Sequence, residues 1–92
     1  MIEEVFLELK ESGLVRSGNE FSRDWLGMDE SYMRSLRAKK RQPSAKVLAK
    51  CAKRLRQTGD ALSSSAMKQV LSDGQKCHLL ADLCVKELLR VG

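Results

Sequence analysis

Apolar side chains recur at intervals of three and four residues along most of this chain, and this spacing constrains the fold more than any other feature. Ile2, Val5, Phe6 and Leu9 form one such stripe, which is typical of an amphipathic helix, and Gly13 predicts where that helix ends. No apolar and polar residues alternate over a length that predicts a strand. The sequence therefore predicts an all-α protein.

Capping residues predict where further helices begin and end. Asn19 is a candidate N-cap for a short second helix that ends at Gly27, and Asp29 is a candidate N-cap for a third helix over about residues 29–38. Ser44 follows a proline and is a candidate N-cap for a fourth helix. The same apolar spacing continues beyond that helix.

Two clusters of turn-forming residues predict interruptions in the last third of the chain. Thr58-Gly59-Asp60 predicts the end of the fourth helix, and Ser72-Asp73-Gly74 predicts a break in the pattern that follows. The region 60–90 therefore contains either one amphipathic helix or two.

Length and composition predict a single domain over residues 1–92. The chain is 42% hydrophobic but only 4% aromatic, so its core is built mainly from aliphatic side chains. There is no apolar run of about eighteen residues, and the N-terminus MIEEVFLELK is acidic where a secretion signal would be basic. We expect a cytoplasmic protein that does not enter a membrane.

The cysteines do not form a metal-binding pattern. Cys51, Cys77 and Cys84 include no Cys-x-x-Cys pair, and His78 is the single histidine. A structural zinc site needs four ligands at closer spacing. We therefore expect free thiols that serve as small apolar side chains, with no disulfide, no metal and no other cofactor.

Charge is concentrated in the middle of the chain. Residues 31–56 hold ten Lys or Arg and no Asp or Glu, whereas the remainder carries a net charge of −5, which gives the overall +5. A solvated helix face usually mixes charges of both signs, because opposite charges one turn apart attract. The basic block therefore indicates a surface that binds a polyanion.

Residues 26–55, LGMDESYMRSLRAKKRQPSAKVLAKCAKRL, resemble the helix-turn-helix of the Cro and phage-repressor (Xre-like) family. The positions that match the family pattern without a gap are Leu26, Gly27, Met28, Asp29, Met33, Leu36, Pro43, Ser44, Leu48, Ala52 and Leu55. The resemblance covers about residues 1–57 and implies a compact, lambda-repressor-like helical bundle. Residues 58–92 lie outside it.

Two positions differ from the family pattern. Where the family has a small alanine four residues before the glycine, this chain has Arg23, with Ser22 beside it; this predicts a rotated second helix or a different register. Where the family has glycine at the end of the recognition helix, this chain has Lys39, which is costly in a left-handed conformation. This predicts that the third helix continues through Ala38 and Lys39.

The resemblance implies a recognition helix at about residues 29–38 that enters the major groove of double-stranded DNA. Because Met33 and Leu36 must face inward, the implied base contacts are Glu30, Ser31, Tyr32, Arg34 and Ser35. Arg34 is the strongest of them, since a guanidinium can bond both acceptors of a guanine. The implied phosphate contacts are Arg23, Arg37, Lys39, Lys40, Arg41, Ser44 and Lys46, with Lys50 as a further candidate.

Three of these side chains allow two interpretations. Glu30 either accepts a hydrogen bond from a cytosine or is a carboxylate favoured at a helix start. Tyr32 is expected to be exposed, where it contacts a base; the alternative is a lid on the core. Trp25 is expected in the core rather than on the DNA, because Phe21 lies one turn before it.

The family core is expected to be complete near residue 71, which leaves a surplus of apolar residues in DGQKCHLLADLCVKELLRVG. We expect this segment to form a homodimer that binds a two-fold-symmetric operator. The predicted dimerisation residues are Leu79, Leu80, Leu83, Cys84 and Leu88. The alternative is that the segment folds back over helices one and four and leaves the protein monomeric.

The predicted function is a sequence-specific DNA-binding transcriptional regulator. Repression is favoured over activation because a bound protein blocks polymerase at a promoter, and no part of the sequence indicates a small-molecule ligand. The alternative is an antitoxin-like or accessory protein-interaction module that uses the C-terminal amphipathic helices. Because no catalytic arrangement and no phosphate-binding glycine loop is found, we expect no enzymatic activity.

Overall fold

A computed structural model describes residues 1–91 and contains helices and no strands over that range. The elements are α1 (Ile2–Glu11), α2 (Gly18–Glu20), which continues as a π-helical turn (Phe21–Trp25), α3 (Tyr32–Lys39), α4 (Ala45–Leu62) and α5 (Lys68–Val91). The prediction of an all-α fold is confirmed. None of the helices in the described part of the chain is long and apolar enough to cross a membrane.

Of the predicted helix boundaries in the first half of the chain, those at Gly13, Gly27 and Ser44 are confirmed, and the N-caps at Asn19 and Asp29 are wrong. Ser44 caps α4, because its Oγ accepts a hydrogen bond from the backbone N–H of Val47 at 3.4 Å. Gly27 adopts the left-handed conformation after the second helix, with φ +65°. The N-cap of α2, however, is Ser17 and not Asn19: the backbone at Ser17 is extended, and its Oγ accepts from the N–H of Glu20 at 3.2 Å.

Helix α3 begins and ends later than the predicted range 29–38. The carboxylate of Asp29 accepts from the N–H of Ser31 at 3.0 Å, and the carbonyl of Asp29 accepts from the N–H of Tyr32 at 3.0 Å. Asp29 therefore closes a tight turn before the helix. At the other end the helix continues through Lys39, as predicted, and the left-handed residue is Lys40, with φ 52° and ψ 42°.

Both interruptions predicted in the last third are wrong, because α4 runs through Gly59 and α5 runs through Gly74. The two helices cross at these glycines. A Cβ atom on Gly59 would lie 3.0 Å from the carbonyl oxygen of Gly74, and one on Gly74 would lie 3.1 Å from that of Gly59. The glycines therefore allow two backbones to touch and do not end either helix.

A single apolar core joins the first 57 residues to α5. It contains residues of α1, the π-helical turn, α3 and α4, together with Cys77, Leu80, Ala81 and Cys84 of α5. The expectation that the core is complete near residue 71 is therefore wrong. The segment does fold back onto α4, as the alternative proposed. This contact does not by itself set the oligomeric state of the protein.

The thiols are free and buried, as predicted. Cys51 and Cys84 are fully buried, and a hydrogen bond between them together with burial raises the pKa of Cys51. Burial also raises the pKa of Cys77. Within residues 1–91 no three Cys, His, Asp or Glu side chains come close enough together to hold a metal ion.

Two of the five predicted dimerisation residues belong to this core. Leu80 and Cys84 are 5% and 0% exposed, so they cannot contact a second chain. Leu88 is half-buried against the core, whereas Leu79 and Leu83 are exposed. The apolar residues of this segment surround α5, and the sequence alone does not show which of them face α4.

Candidate nucleic-acid interface

Ser22 holds α3 against the second helix. Its side chain is fully buried, its Oγ donates to the carbonyl of Gly18 at 2.7 Å, and it accepts from the backbone N–H of Met33 at 3.1 Å. The π-helical turn adds one residue to this helix. Ser22 takes the inward position and Arg23 stays exposed.

The faces of α3 are divided as expected for its inward residues. Met33 is buried and Leu36 packs against the core. Side chains advance by about 100° per residue around a helix, so Arg34 and Ala38 project outward, beside the half-buried Ser31 and Ser35. The structure thus brings three predicted base-contact residues, Ser31, Arg34 and Ser35, onto one surface together with Ala38.

Tyr32 does not lie on that surface. It is half-buried and packs against the core, so the expectation that it is exposed is wrong and the alternative, a lid on the core, fits the structure. Burial raises the pKa of its hydroxyl, and a backbone hydrogen bond from Ser44 partly offsets that rise. The reason is geometric: Tyr32 lies about 100° from Met33 and on the side of α3 that faces the loop before α4.

Glu30 and Arg23 form an ion pair with each other. Arg23 Nη1 lies 3.0 Å from Glu30 Oε1, and Arg23 Nε lies 3.1 Å from Asp24 Oδ1. The hydrogen bond to Asp24 contributes most to a raised pKa of Arg23. A predicted base contact and a predicted phosphate contact are therefore paired with each other on the surface beside α3.

Arg37 is held by the N-terminal helix. Its guanidinium forms a bidentate ion pair with Glu3, in which Nη2 lies 3.1 Å from Oε2, and it lies 5.7 Å from the centre of the Phe6 ring. Hydrogen bonding to Arg37 is the main reason why the pKa of Glu3 is lowered. A phosphate that binds Arg37 would have to displace Glu3.

Most of the basic block has no carboxylate partner within residues 1–91. Of the ten basic residues in 31–56, only Arg37 and Arg56 form salt bridges. The other eight are exposed, and they lie on α3, on the loop after it and on the outward side of α4. These residues are Arg34, Lys39, Lys40, Arg41, Lys46, Lys50, Lys53 and Arg54.

Residues 2–90 match the profile of DUF6626, a family of unknown function. The chain belongs to this family. No curated protein matches the chain, and no solved structure matches it either. The matched region includes α5, so the family unit extends beyond the 57 residues that resemble the Cro and phage-repressor family, and that resemblance remains a hypothesis.

Two basic residues of this DUF6626 protein were not among the predicted contacts. Lys53 and Arg54 share the outward side of α4 with Lys46 and Lys50. Arg54 lies 5.3 Å from the centre of the ring of Trp25, which is buried as expected. A signal for both was present in the sequence, because they continue the three- and four-residue spacing of the basic side chains.

Lys50 also covers the glycine turn between the second helix and α3. A Cβ atom on Gly27 would lie 3.3 Å from Lys50 Cδ. The stem of Lys50 therefore packs beside this turn, while its charged end remains exposed. The basic side of α4 is thus continuous with the start of α3.

Proposed function

We propose that this DUF6626 protein is a cytoplasmic, sequence-specific DNA-binding transcriptional regulator whose residues 18–39 act as a helix-turn-helix. The observation that carries the proposal is the group of eight exposed basic side chains without a carboxylate partner. Their mutual repulsion is relieved when phosphates neutralise them and condensed counterions leave the DNA. Repression is favoured, by analogy with small regulators that block a promoter sterically.

The dimensions of α3 support its role as the recognition helix. Its eight residues give a length of about 12 Å at roughly 1.5 Å per residue. An α-helix with its side chains is about 10 to 12 Å across, and this diameter suits a major groove about 12 Å wide. Arg34 would bond a guanine, and the exposed methyl group of Ala38 would suit the methyl group of a thymine.

The basic residues around α3 would position it on the duplex. Lys39 is the last residue of α3, Lys40 and Arg41 follow it directly, and Lys46 lies on the first turn of α4. Their side chains are long enough to reach the phosphates on either side of a groove that α3 occupies. Contacts of this kind fix orientation and carry no sequence information.

The first test is the salt dependence of binding to random duplex DNA. We expect a slope of about −4 to −8 in a plot of log affinity against log salt for a dimer. The double variant Lys39→Gln/Lys40→Gln should flatten the slope, whereas Lys86→Gln, which removes an exposed charge from α5, should not. A flat response of the wild-type protein would reject the proposal.

A second candidate function is an antitoxin-like or accessory module that binds another protein. The observation that favours it is an apolar groove between α4 and α5, lined by Ala49, Ala52, Val85 and Leu88. A protein of this kind should bind random duplex DNA weakly at low salt. The salt titration therefore separates the two candidates.

A further inference from the structure

The groove between α4 and α5 shares only Lys53 with the basic residues on which the DNA proposal rests. It encloses about 450 Å³. Its apolar lining comes from Ala49 and Ala52 of α4 and from Val85 and Leu88 of α5. The two alanines make a depression, because α4 carries only methyl groups where a larger side chain would fill the space.

Leu89 projects at the edge of this groove. Among the large apolar side chains of residues 1–90 it is the most exposed, at 73%. It follows Leu88 directly and lies one turn after Val85, on the same side of α5. A depression and a protruding leucine therefore lie next to each other on one surface.

The charges around the groove are balanced, unlike those around α3. Lys53, Arg56 and Asp60 lie at its edge, and Arg56 Nη2 lies 3.5 Å from Asp82 Oδ1 of α5. This edge therefore carries two cations and two anions. Such an edge does not favour a polyanion. A second copy of the chain brings the same mixed charges, so the two edges can meet across a two-fold axis without net repulsion.

We propose that a second copy of this chain docks on the α4–α5 groove across a two-fold axis, with Leu89 of each copy inserted in the groove of the other. The contact is self-complementary, as a two-fold interface requires. The inference deepens the proposed function and rests on it, since the two-fold-symmetric operator expected from the sequence needs two copies of the chain. It replaces the predicted contacts at Leu79 and Leu83. It does not require DNA.

Sedimentation of the protein at micromolar concentration without DNA tests the proposal. The wild-type chain should sediment as a dimer. Leu89→Glu should raise the dissociation constant by about tenfold or more, because it places a charge in an apolar contact. Ala49→Glu should do the same from the other side of the contact, and since Ala49 is exposed, its substitution does not disturb the core.

Leu79→Glu is the matched control. Leu79 is 66% exposed and lies on the same helix, but about 15 Å further along its axis at roughly 1.5 Å per residue. The dissociation constant of the Leu79→Glu dimer should remain that of the wild type. Circular dichroism should show that all three variants are folded. A monomeric wild-type chain would overturn the inference, as would a dimer that Leu79→Glu weakens as much as Leu89→Glu does.

These results are independent of the DNA proposal. If Leu89→Glu abolishes dimerisation in a chain that does not bind duplex DNA, the docking surface stands and the regulator does not. If the wild-type chain binds DNA with a steep salt dependence but is monomeric, the regulator stands and the docking surface does not.

Discussion

The contact between α4 and α5 and the segment from Tyr32 to Ser44 differ in how their charges are paired and in their backbone conformation. Between the two helices, Arg56 forms an ion pair with Asp82, and His78 Nε2 lies 3.1 Å from Asp60 Oδ1. In the segment, only one of the five basic residues, Arg37, has a carboxylate partner within residues 1–91, and that partner is Glu3. Where α4 and α5 face each other, charges are paired within the chain. The segment instead keeps a positive charge, which DNA would neutralise in the proposed function.

The backbone conformations of the two regions also differ. Where α4 and α5 cross, glycines occupy the two positions that cannot accept a side chain. At the end of α3, by contrast, Lys40 adopts a left-handed conformation that glycine would adopt more cheaply. The glycines at the crossing favour a stable fold. Lys40, in contrast, keeps a positive charge beside α3 at a cost in stability.

The largest effect is expected from filling the helix crossing. Gly74→Val should lower the free energy of unfolding by about 1 to 3 kcal/mol, since the new side chain meets the backbone of Gly59. Gln75→Val, at an exposed neighbouring position, should cost about 0.5 kcal/mol or less. Urea denaturation measures both. Similar losses in the two variants would show that the crossing is not tight.

A smaller effect is expected from releasing Arg37. Glu3→Gln frees the guanidinium for a phosphate, so affinity for duplex DNA at low salt should rise about threefold to tenfold. Glu4→Gln removes the same charge from an exposed position that has no salt bridge within residues 1–91, and should change affinity less. Filter binding measures both affinities for duplex DNA. Equal affinities for the two variants would contradict this expectation.

The same substitution has a predictable pH dependence. The pKa of Glu3 is lowered in the folded protein, so its ion pair stabilises the fold at pH values above the ordinary carboxyl pKa. The contribution is at most about 1 kcal/mol, because the pair is exposed. Glu3→Gln should therefore be less stable than the wild type at neutral pH, and the difference should disappear as the pH falls through the lowered pKa.

The smallest effect is expected at the end of α3. Lys40→Gly should stabilise the protein by about 0.5 to 1 kcal/mol, because glycine adopts the left-handed conformation without strain. It should also weaken DNA binding, since a charge is lost. Lys39→Gly removes the same charge inside the helix and should destabilise the protein by about 1 kcal/mol. Thermal denaturation measures both variants. If both were less stable than the wild type, the left-handed residue would not be Lys40.

Local signals in the sequence predicted much of this fold. The stripe that begins at Ile2, the cap at Ser44 and the turn at Gly27 depend on neighbours within a few residues, and all three are confirmed. Gly59 and Gly74 were misread because a glycine that ends a helix and a glycine at a helix crossing have the same local sequence. Only the position of the other helix distinguishes them.

The candidate interface was predictable to a similar extent. The inward positions of Met33 and Leu36 leave Arg34 exposed, and any α3 helix in this register would do so. The pairing of Arg37 with Glu3 joins residues that are 34 positions apart, and no periodic pattern indicates such a contact. The burial of Leu80 and Cys84 likewise depends on which side of α5 meets α4.

The central claim is that α3 reads DNA bases through Arg34. The most direct measurement is selection of bound fragments from a pool of random duplex sequences, carried out with the wild-type protein and with Arg34→Ala. The account predicts one enriched motif with two-fold symmetry for the wild type. For Arg34→Ala it predicts loss of preference at one base position in each half, with a cost of about 1 to 3 kcal/mol on the selected site. An identical motif from both proteins, or no enrichment by the wild type, would contradict the claim.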